Sequence, residues 1–334
     1  MDQTASISSV KQNDSDKNNF QNSRIISQRL AAVKGDGEKA NDIFVHGDVN
    51  CQQHVIYFGG DVQDYPENMV GNNARHIQWN TEKTTTLLHS KFPSSLVFAI
   101  KAKSMHLKTL ALYSNFVELK NDCGSPVHCS AYGAIRHLRL LYKSACQIVA
   151  ATCREQERNR EGRNSVLSTE VDKNNAIISN TVSEKVQESG CAAHDQNVPI
   201  SIVAFSKGCV VLNQMVFELQ TNQDIEAKEF LSRISDLYWL DGGHNGGDIS
   251  RSNEHTYITE PHLVKSLADL RCQIHVDVTP YQIHDPNRPW LGKHYRRFCQ
   301  LLRAAGVKLH GEVHFGQEAG SLENHFKVLE AFKV

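Results

Sequence analysis

The segment Val203-Ala204-Phe205-Ser206-Lys207-Gly208-Cys209 places a serine between an apolar strand and an apolar helix. This arrangement is typical of a nucleophile elbow, a sharp turn that holds a serine in a strained backbone conformation. The residues two before and two after the serine must be small, because larger side chains would collide with the neighbouring strand and helix. Ala204 and Gly208 meet this requirement, although the usual pattern has glycine at both positions. A serine that caps the following helix is the alternative interpretation.

Apolar runs of strand length alternate with helical patterns on both sides of this segment. The predicted strands cover 54–58, 96–100, 200–204, 236–240, 274–278 and 307–315, and the predicted helices cover 81–91, 132–151, 207–219, 261–269, 290–305 and 321–332. A first hairpin is predicted from 24–33 and 42–46. Alternation of this kind predicts a mostly parallel central sheet flanked by helices. Together with the elbow it predicts an α/β fold of the α/β-hydrolase-like type.

Two polar stretches interrupt the pattern. Residues 1–22 contain too little apolar surface to offset the entropy of ordering them, so we expect a disordered tail. Residues 152–197 are rich in Glu, Asn, Arg, Ser and Gln without a sustained period, which predicts a flexible insertion. The remainder, 23–334, is predicted to form one α/β-hydrolase-like domain interrupted by that insertion.

Charge and composition exclude several classes of protein. The 36 basic and 37 acidic side chains give a net charge of -1, which argues against a nucleic-acid surface. No apolar run approaches the roughly 18 to 20 residues that a transmembrane segment requires. The nine cysteines include no CxxC pair, which favours a reducing compartment such as the cytoplasm.

A nucleophilic serine needs a base, and the base needs a partner that fixes its tautomer. In α/β-hydrolases these groups follow the serine in the order acid, then histidine. His325, near the start of the last helix, is therefore the predicted base, and His314, inside a predicted strand, is a lesser choice. Two aspartates, each just past a predicted strand, are candidates for the acid. We favour Asp285 over Asp241; an Asp-Pro turn and a tie to a glycine-rich loop are their structural alternatives.

Acyl transfer also requires two backbone donors for the oxyanion of the transition state. The amide that follows the serine, that of Lys207, is one predicted donor. The turn Gly59-Gly60-Asp61 after an early strand predicts the others, at Gly60 and Asp61, although a tight turn is the commoner meaning of a Gly-Gly pair. A cationic Lys207 side chain beside the serine could favour an acidic substrate. We favour the simpler interpretation, a solvated lysine at a helix start.

His310, Glu312 and His314 alternate along a predicted strand and would share one face, as a zinc site requires. Polar alternation is more often the solvent side of an edge strand, and neither an HExxH motif nor paired cysteines support a metal. We therefore predict neither a metal nor another cofactor.

Several segments resemble a known family. They are HVIYFGGDVQDY at 54–65, FSKGCVVLNQ at 205–214, YWLDGGHNGG at 238–247, VTPYQIHDPNRPWLGKHY at 278–295 and ENHF at 323–326. Together they resemble the animal family of the chromosome 2 open reading frame 69 protein, from about His54 to the C-terminus without the insertion. The resemblance implies an α/β-hydrolase-like fold, Ser206 as the elbow serine and a mitochondrial location. It implies no particular substrate. Ala204 departs from the glycine of the family's elbow.

Two functions fit these features. The first is a serine hydrolase that cleaves an ester, thioester or amide of a small-molecule or acyl substrate through a Ser-His-Asp triad. The second is a catalytically inactive α/β-hydrolase-fold protein that binds a protein partner or acts as a scaffold in mitochondrial metabolism, with the insertion as a candidate interaction segment. A metal-dependent hydrolase is a third, weaker hypothesis.

Overall fold

The computed structural model describes residues 24–171, 197–243 and 256–334. The strands are β1 (Ile25–Lys34), β2 (Ala40–Asp48), β3 (Gln53–Phe58), β4 (Ser95–Ile100), β5 (Ser104–His106), β6 (Leu110–Leu112), β7 (Glu118–Leu119), β8 (Pro126–Val127), β9 (Ile200–Phe205), β10 (Ile234–Leu240), β11 (Gln273–Asp277) and β12 (Leu309–His310). The helices are α1 (Thr81–Lys91), α2 (Ala134–Val171), α3 (Cys209–Glu218), α4 (Ile225–Ser232), α5 (Pro261–Asp269), α6 (Pro280–Ile283), α7 (Trp290–Ala304) and α8 (Leu322–Ala331).

Eight strands form the central sheet, in the order β1-β2-β4-β3-β9-β10-β11-β12. From β4 through β12 all neighbours are parallel, and β2 runs antiparallel to both β1 and β4. Strands β4 and β9 are buried along their whole length, because helices cover both faces of a parallel sheet. The mostly parallel sheet predicted from the sequence is confirmed.

The helices divide between the two faces of the sheet. One face packs against a large cluster that includes apolar side chains of α2, α3, α5 and α7. The other face packs against a smaller aromatic cluster that includes side chains of α1 and α8. This division places α3, which follows β9, and α8, which follows β12, on opposite faces of the sheet. Both helices can therefore approach the same end of the sheet.

The structure departs from the sequence prediction in several elements. The strand predicted at 307–315 is reduced to β12 and a single bridge between Val278 and Val313. Helix α2 continues to Val171, into the stretch predicted as a flexible insertion, whose residues 172–196 lie outside the described part. Helix α4 was not predicted, nor were the small hairpins β5-β6 and β7-β8. The tail predicted at 1–22 also lies outside the described residues.

Among the residues that the structure describes, no helix is both long enough and apolar enough to span a membrane.

A buried carboxylate joins the helix after β9 to the long helix α2. Glu218, the last residue of α3, accepts hydrogen bonds from the backbone amides of Gly133, Ala134 and Ile135 at 2.8, 2.8 and 3.0 Å. These amides surround the first turn of α2, where N–H groups lack partners within the helix and the helix dipole favours a negative charge. Gln214 donates a fourth hydrogen bond to the same carboxylate. Glu218 therefore fixes α3 against the start of α2.

We expect Glu218→Gln to lower the free energy of unfolding by about 2 kcal/mol, because one acceptor oxygen is replaced by a donor that faces backbone N–H groups. The measurement is urea-induced unfolding followed by circular dichroism. Glu229→Gln, at an exposed position of α4, is the matched control and should change stability by less than about 0.5 kcal/mol. Equal unfolding midpoints for the two variants would contradict this role of Glu218.

Candidate active site

The turn between β9 and α3 holds Ser206 in a left-handed conformation. The backbone φ of Ser206 is +53°, and residues Ser206–Gly208 form a short 3-10 turn before the α-helix begins. A residue with a side chain pays a conformational cost of order 1–2 kcal/mol in this region. The result is a sharp change of direction with the serine at its tip, as the sequence pattern predicts for a nucleophile elbow.

Gly208 allows the turn to pack directly on β3. A Cβ atom at this position would lie 2.2 Å from the Phe58 carbonyl oxygen and 2.9 Å from that of Gly59. Both neighbours are backbone atoms, so they cannot move aside as a flexible side chain could. Ala204, two residues before the serine, is fully buried and is accommodated there. The substitution of alanine for glycine at the first position of the pattern is therefore compatible with the turn.

His325 lies on α8, which packs on the opposite face of the sheet from α3, and its side chain contacts the serine. Its Nε2 atom lies 2.8 Å from Ser206 Oγ. The Ser321 side chain caps α8 by accepting from Asn324 N, which places His325 in the first turn of the helix. The imidazole packs against the rings of Phe205 and Tyr281, with centroids at 4.7 and 4.9 Å. These contacts orient the imidazole so that its Nε2 atom faces the serine.

Asp241 holds the other nitrogen of the histidine. Its Oδ2 atom lies 2.7 Å from His325 Nδ1 and also accepts from Thr279 Oγ1 at 2.6 Å. Its Oδ1 atom accepts from Thr279 N at 2.7 Å. Asp241 is 0 % exposed, and its φ of +46° turns the chain sharply at the end of β10. A carboxylate at this position directs the Nδ1 proton towards itself and leaves the Nε2 lone pair for the serine hydroxyl.

The preference for Asp285 as the partner of the histidine is corrected by this geometry. The Asp285 carboxylate accepts from Asn287 N at 2.8 Å and from Arg288 Nε at 2.6 Å, and hydrogen bonding to Arg288 lowers the pKa of Asp285. These are local contacts of an Asp-Pro turn, the structural alternative for this residue. Helix α6 lies between β11 and Asp285, whereas Asp241 follows its strand immediately.

The glycine turn after β3 lies against the serine. A Cβ atom at Gly60 would be 2.7 Å from Ser206 Cβ, which explains why glycine is required there. The prediction that Gly60 N–H serves as an oxyanion donor is corrected, because this amide donates to Gln63 Oε1 at 2.8 Å. The Gln63 side chain also accepts from Tyr57 and donates to Trp79 O and Thr84 Oγ1. Gln63 therefore fixes the turn in place.

The prediction of a solvated Lys207 side chain is wrong. Lys207 is 5 % exposed, and its ammonium donates to the Cys123 carbonyl at 3.1 Å. Burial lowers the pKa of Lys207, while the nearby Asp61 carboxylate opposes this shift. The loop of the β7-β8 hairpin lies against this ammonium, since it contains Cys123 and also Gly124, where a Cβ atom would be 3.4 Å from Lys207 Nζ.

The alternating histidines near the C-terminus do not converge as a metal site would require. His314 Nε2 hydrogen-bonds to Asp277 Oδ1 at 2.7 Å, whereas the histidine that contacts Ser206 is His325. His310 stacks on His275, and Glu312 forms an ion pair with Lys333. No group of three or more His, Cys, Asp or Glu side chains placed to bind a metal ion occurs in the described ranges.

Sequence reasoning missed three residues that organise this region. Gln63 fixes the glycine turn, Thr279 supplies two hydrogen bonds to Asp241, and Tyr281 packs on the imidazole. Thr279 directly follows the strand predicted at 274–278, and Gln63 lies five residues beyond the strand predicted at 54–58, so both carry weak signals. Polar residues at such positions are common in loops, so the signal does not identify their partners.

The strand order, the strained serine after the fifth strand of the sheet and the histidine after the last strand define an α/β-hydrolase-fold protein. The C2orf69 family model matches residues 29–308. The chain belongs to the C2orf69 family.

Curated relatives agree with this membership. The mitochondrial protein C2orf69 homolog of Mus musculus is 35% identical over 324 residues, which cover 91% of this chain and 86% of the relative. The mitochondrial protein C2orf69 of Homo sapiens is 36% identical over 295 residues, covering 84% and 74% respectively. The names of these relatives support a mitochondrial location for this chain.

Solved structures with a similar course of the chain include esterases. Esterase Est22 is 12% identical with a TM-score of 0.42, and the match covers 92% of this chain and 76% of the esterase. Carboxyl esterase 2 of Tuber melanosporum is 9% identical with a TM-score of 0.40, and the match covers 93% and 81%. The strand order and the elbow, rather than these likenesses, define the fold.

We expect Gly208→Ala to destabilise the protein by about 3 kcal/mol or more, because the added methyl group meets two backbone carbonyls. Thermal unfolding of the purified variant measures the loss. The matched control is Gly316→Ala, where the new Cβ would have only ordinary contacts, at 3.5 Å and beyond. A Gly208→Ala protein as stable as this control would show that α3 does not need its close approach to β3.

Proposed function

We propose that this protein is a serine hydrolase that cleaves an ester, thioester or amide with Ser206 as nucleophile, His325 as general base and Asp241 as the acid that orients the base. The observation that carries this proposal is the continuous hydrogen-bonded series from Asp241 through His325 to Ser206, with distances of 2.7 and 2.8 Å. Its location on a strained elbow adds support, because a helix-cap serine has no need of a left-handed backbone.

In the proposed reaction the Ser206 oxygen attacks the substrate carbonyl while its proton moves to His325 Nε2. Asp241 stabilises the imidazolium that forms, and His325 then gives the proton to the leaving alcohol, thiol or amine. A water molecule, deprotonated by the same histidine, hydrolyses the acyl-serine and releases the acid. The net change is substrate plus water to acid plus leaving group, so no cofactor enters the balance.

The negative charge of the tetrahedral intermediate requires backbone donors close to Ser206. The Lys207 amide follows the nucleophile directly, and Asp61 follows the glycine that touches Ser206. We assign the oxyanion to these two amides because both lie within one residue of the contact between Gly60 and Ser206.

The competing hypothesis, an inactive binding or scaffold protein, draws support from the burial of the site. Ser206 is 2 % exposed and His325 is 4 % exposed in the described structure. A substrate must displace neighbouring groups to reach a serine this buried. The reactivity of the serine therefore separates the two functions.

We expect a fluorophosphonate probe to label the purified wild-type protein, and Ser206→Ala to abolish labelling. His325→Ala and Asp241→Asn should each slow labelling by about 100-fold or more, because the serine loses its base or the base loses its orientation. The measurement is the labelling rate followed by in-gel fluorescence.

Asp285→Asn is the matched control for Asp241→Asn, since it removes the same charge from the other candidate carboxylate. It should label at the wild-type rate. Circular dichroism of each variant confirms that it is folded. A folded wild-type protein that the probe does not label would favour the binding function, and slowing by Asp285→Asn alone would assign the acid to Asp285.

A further inference from the structure

Thr279 lies at the start of the short helix α6, but its side chain does not cap that helix. A threonine at this position commonly accepts a hydrogen bond from a backbone N–H of the first helical turn. Here the hydroxyl donates instead to Asp241 Oδ2 at 2.6 Å, and the backbone amide of the same residue donates to Asp241 Oδ1 at 2.7 Å. Thr279 therefore bonds both oxygens of the proposed triad acid.

The Asp241 carboxylate receives its hydrogen bonds from protein groups. Asp241 and Thr279 are both 0 % exposed, so bulk solvent does not reach them. In the described structure the carboxylate accepts from the Thr279 amide, the Thr279 hydroxyl and His325 Nδ1. The hydroxyl and the imidazole share Oδ2, and hydrogen bonds to an ionised group are stronger than those between neutral groups. Without the hydroxyl, the imidazole alone would hold this oxygen.

The same short helix also contacts the proposed base. The Tyr281 ring packs on the His325 imidazole, with centroids 4.9 Å apart. A Cβ atom at Gly320 would lie 2.9 Å from the Tyr281 backbone and 3.0 Å from that of Pro280, so the chain enters α8 in direct contact with α6. Helix α6 therefore contacts both the acid and the helix that carries the base.

We infer that Thr279 is a positioning residue of the proposed hydrolase, whose hydroxyl holds Asp241 in the orientation that directs its carboxylate to His325 Nδ1. The inference rests on the proposed function and adds to it a residue that acts through the acid. It requires a hydroxyl at position 279, whereas the methyl group of the threonine is dispensable.

The substitutions Thr279→Val and Thr279→Ser separate these two groups. Valine keeps the shape and the backbone amide but lacks the hydroxyl, and serine keeps the hydroxyl but lacks the methyl group. We expect Thr279→Val to slow fluorophosphonate labelling by about tenfold, because a small misplacement of an orienting group lowers the rate. Thr279→Ser should label close to the wild-type rate. A valine variant that labels as fast as the wild type would overturn the inference.

The matched control is Thr85→Val in α1. Thr85 is also 0 % exposed, and its hydroxyl donates to the Thr81 carbonyl at 2.6 Å, so the substitution removes a comparable buried hydrogen bond within a helix. This variant should label at the wild-type rate, and circular dichroism confirms that each variant is folded. Equal slowing by Thr85→Val and Thr279→Val would show a general effect of destabilisation and would count against the inference.

A double variant tests whether Thr279 acts through Asp241. In the Asp241→Asn background the carboxylate is already absent, so adding Thr279→Val should slow labelling no further. If the valine slowed labelling by the same factor in both backgrounds, Thr279 would act independently of Asp241 and the assigned role would be wrong.

Proton NMR tests the orientation of the acid without any assay of reactivity. An imidazole N–H that donates to a buried carboxylate gives a resonance far downfield, and loss of this resonance in Asp241→Asn assigns it to His325. Thr279→Val should shift the resonance, because Oδ2 loses its second donor, and Thr279→Ser should leave it in place. An unshifted resonance in the valine variant would refute the role of the hydroxyl.

The two measurements separate this inference from the proposed function. A wild type that the probe fails to label would reject the hydrolase, while the resonance would still decide whether Thr279 orients the acid. A wild type that is labelled, with a valine variant of equal rate, would reject the role of Thr279 alone.

Discussion

The close contact between the backbone of the elbow and the end of β3 is the constraint on which this site depends. Gly208 packs on the Phe58 carbonyl, and Gly60 packs on the Ser206 side chain, so two segments far apart in sequence meet without side chains between them. The strained φ of Ser206 persists because these contacts leave the turn no other course. Every other group of the site is placed relative to the serine at the tip of this turn.

Much of the fold follows from short-range patterns. Runs such as 96–100 and 200–204 are continuously apolar because both faces of a parallel sheet are covered, and helices at 81–91 and 261–269 begin and end where the sequence predicts. The choice of Ser206 and His325 needed only the small neighbours of the serine and the order of residues along the chain. Both signals depend only on neighbouring residues or on the order of residues along the chain, so neither requires the folded structure.

The remaining features depend on how distant loops fold back onto the site. The periodic pattern of apolar residues carries no information about this. Asp241 and Asp285 both lie just past strands predicted from the sequence, but only the turn at Asp241, fixed by Thr279, directs its carboxylate to the histidine. Lys207 is buried by a hairpin 84 residues away in the chain, so its surroundings could not be predicted from its neighbours. The Gly60 amide is taken by Gln63, whose own partners come from two further segments.

The separation of the site residues along the chain has a consequence for when the site comes into existence. Asp241 and His325 meet across 84 residues, and Ser206 and His325 across 119. In a fully extended chain the serine and the histidine would lie roughly 400 Å apart. A polypeptide that is threaded through a narrow pore on its way to an organelle therefore carries these groups far from one another. They meet only when the sheet has formed, because the entropy of closing the long intervening loops must be overcome before contacts this distant in sequence stabilise the chain.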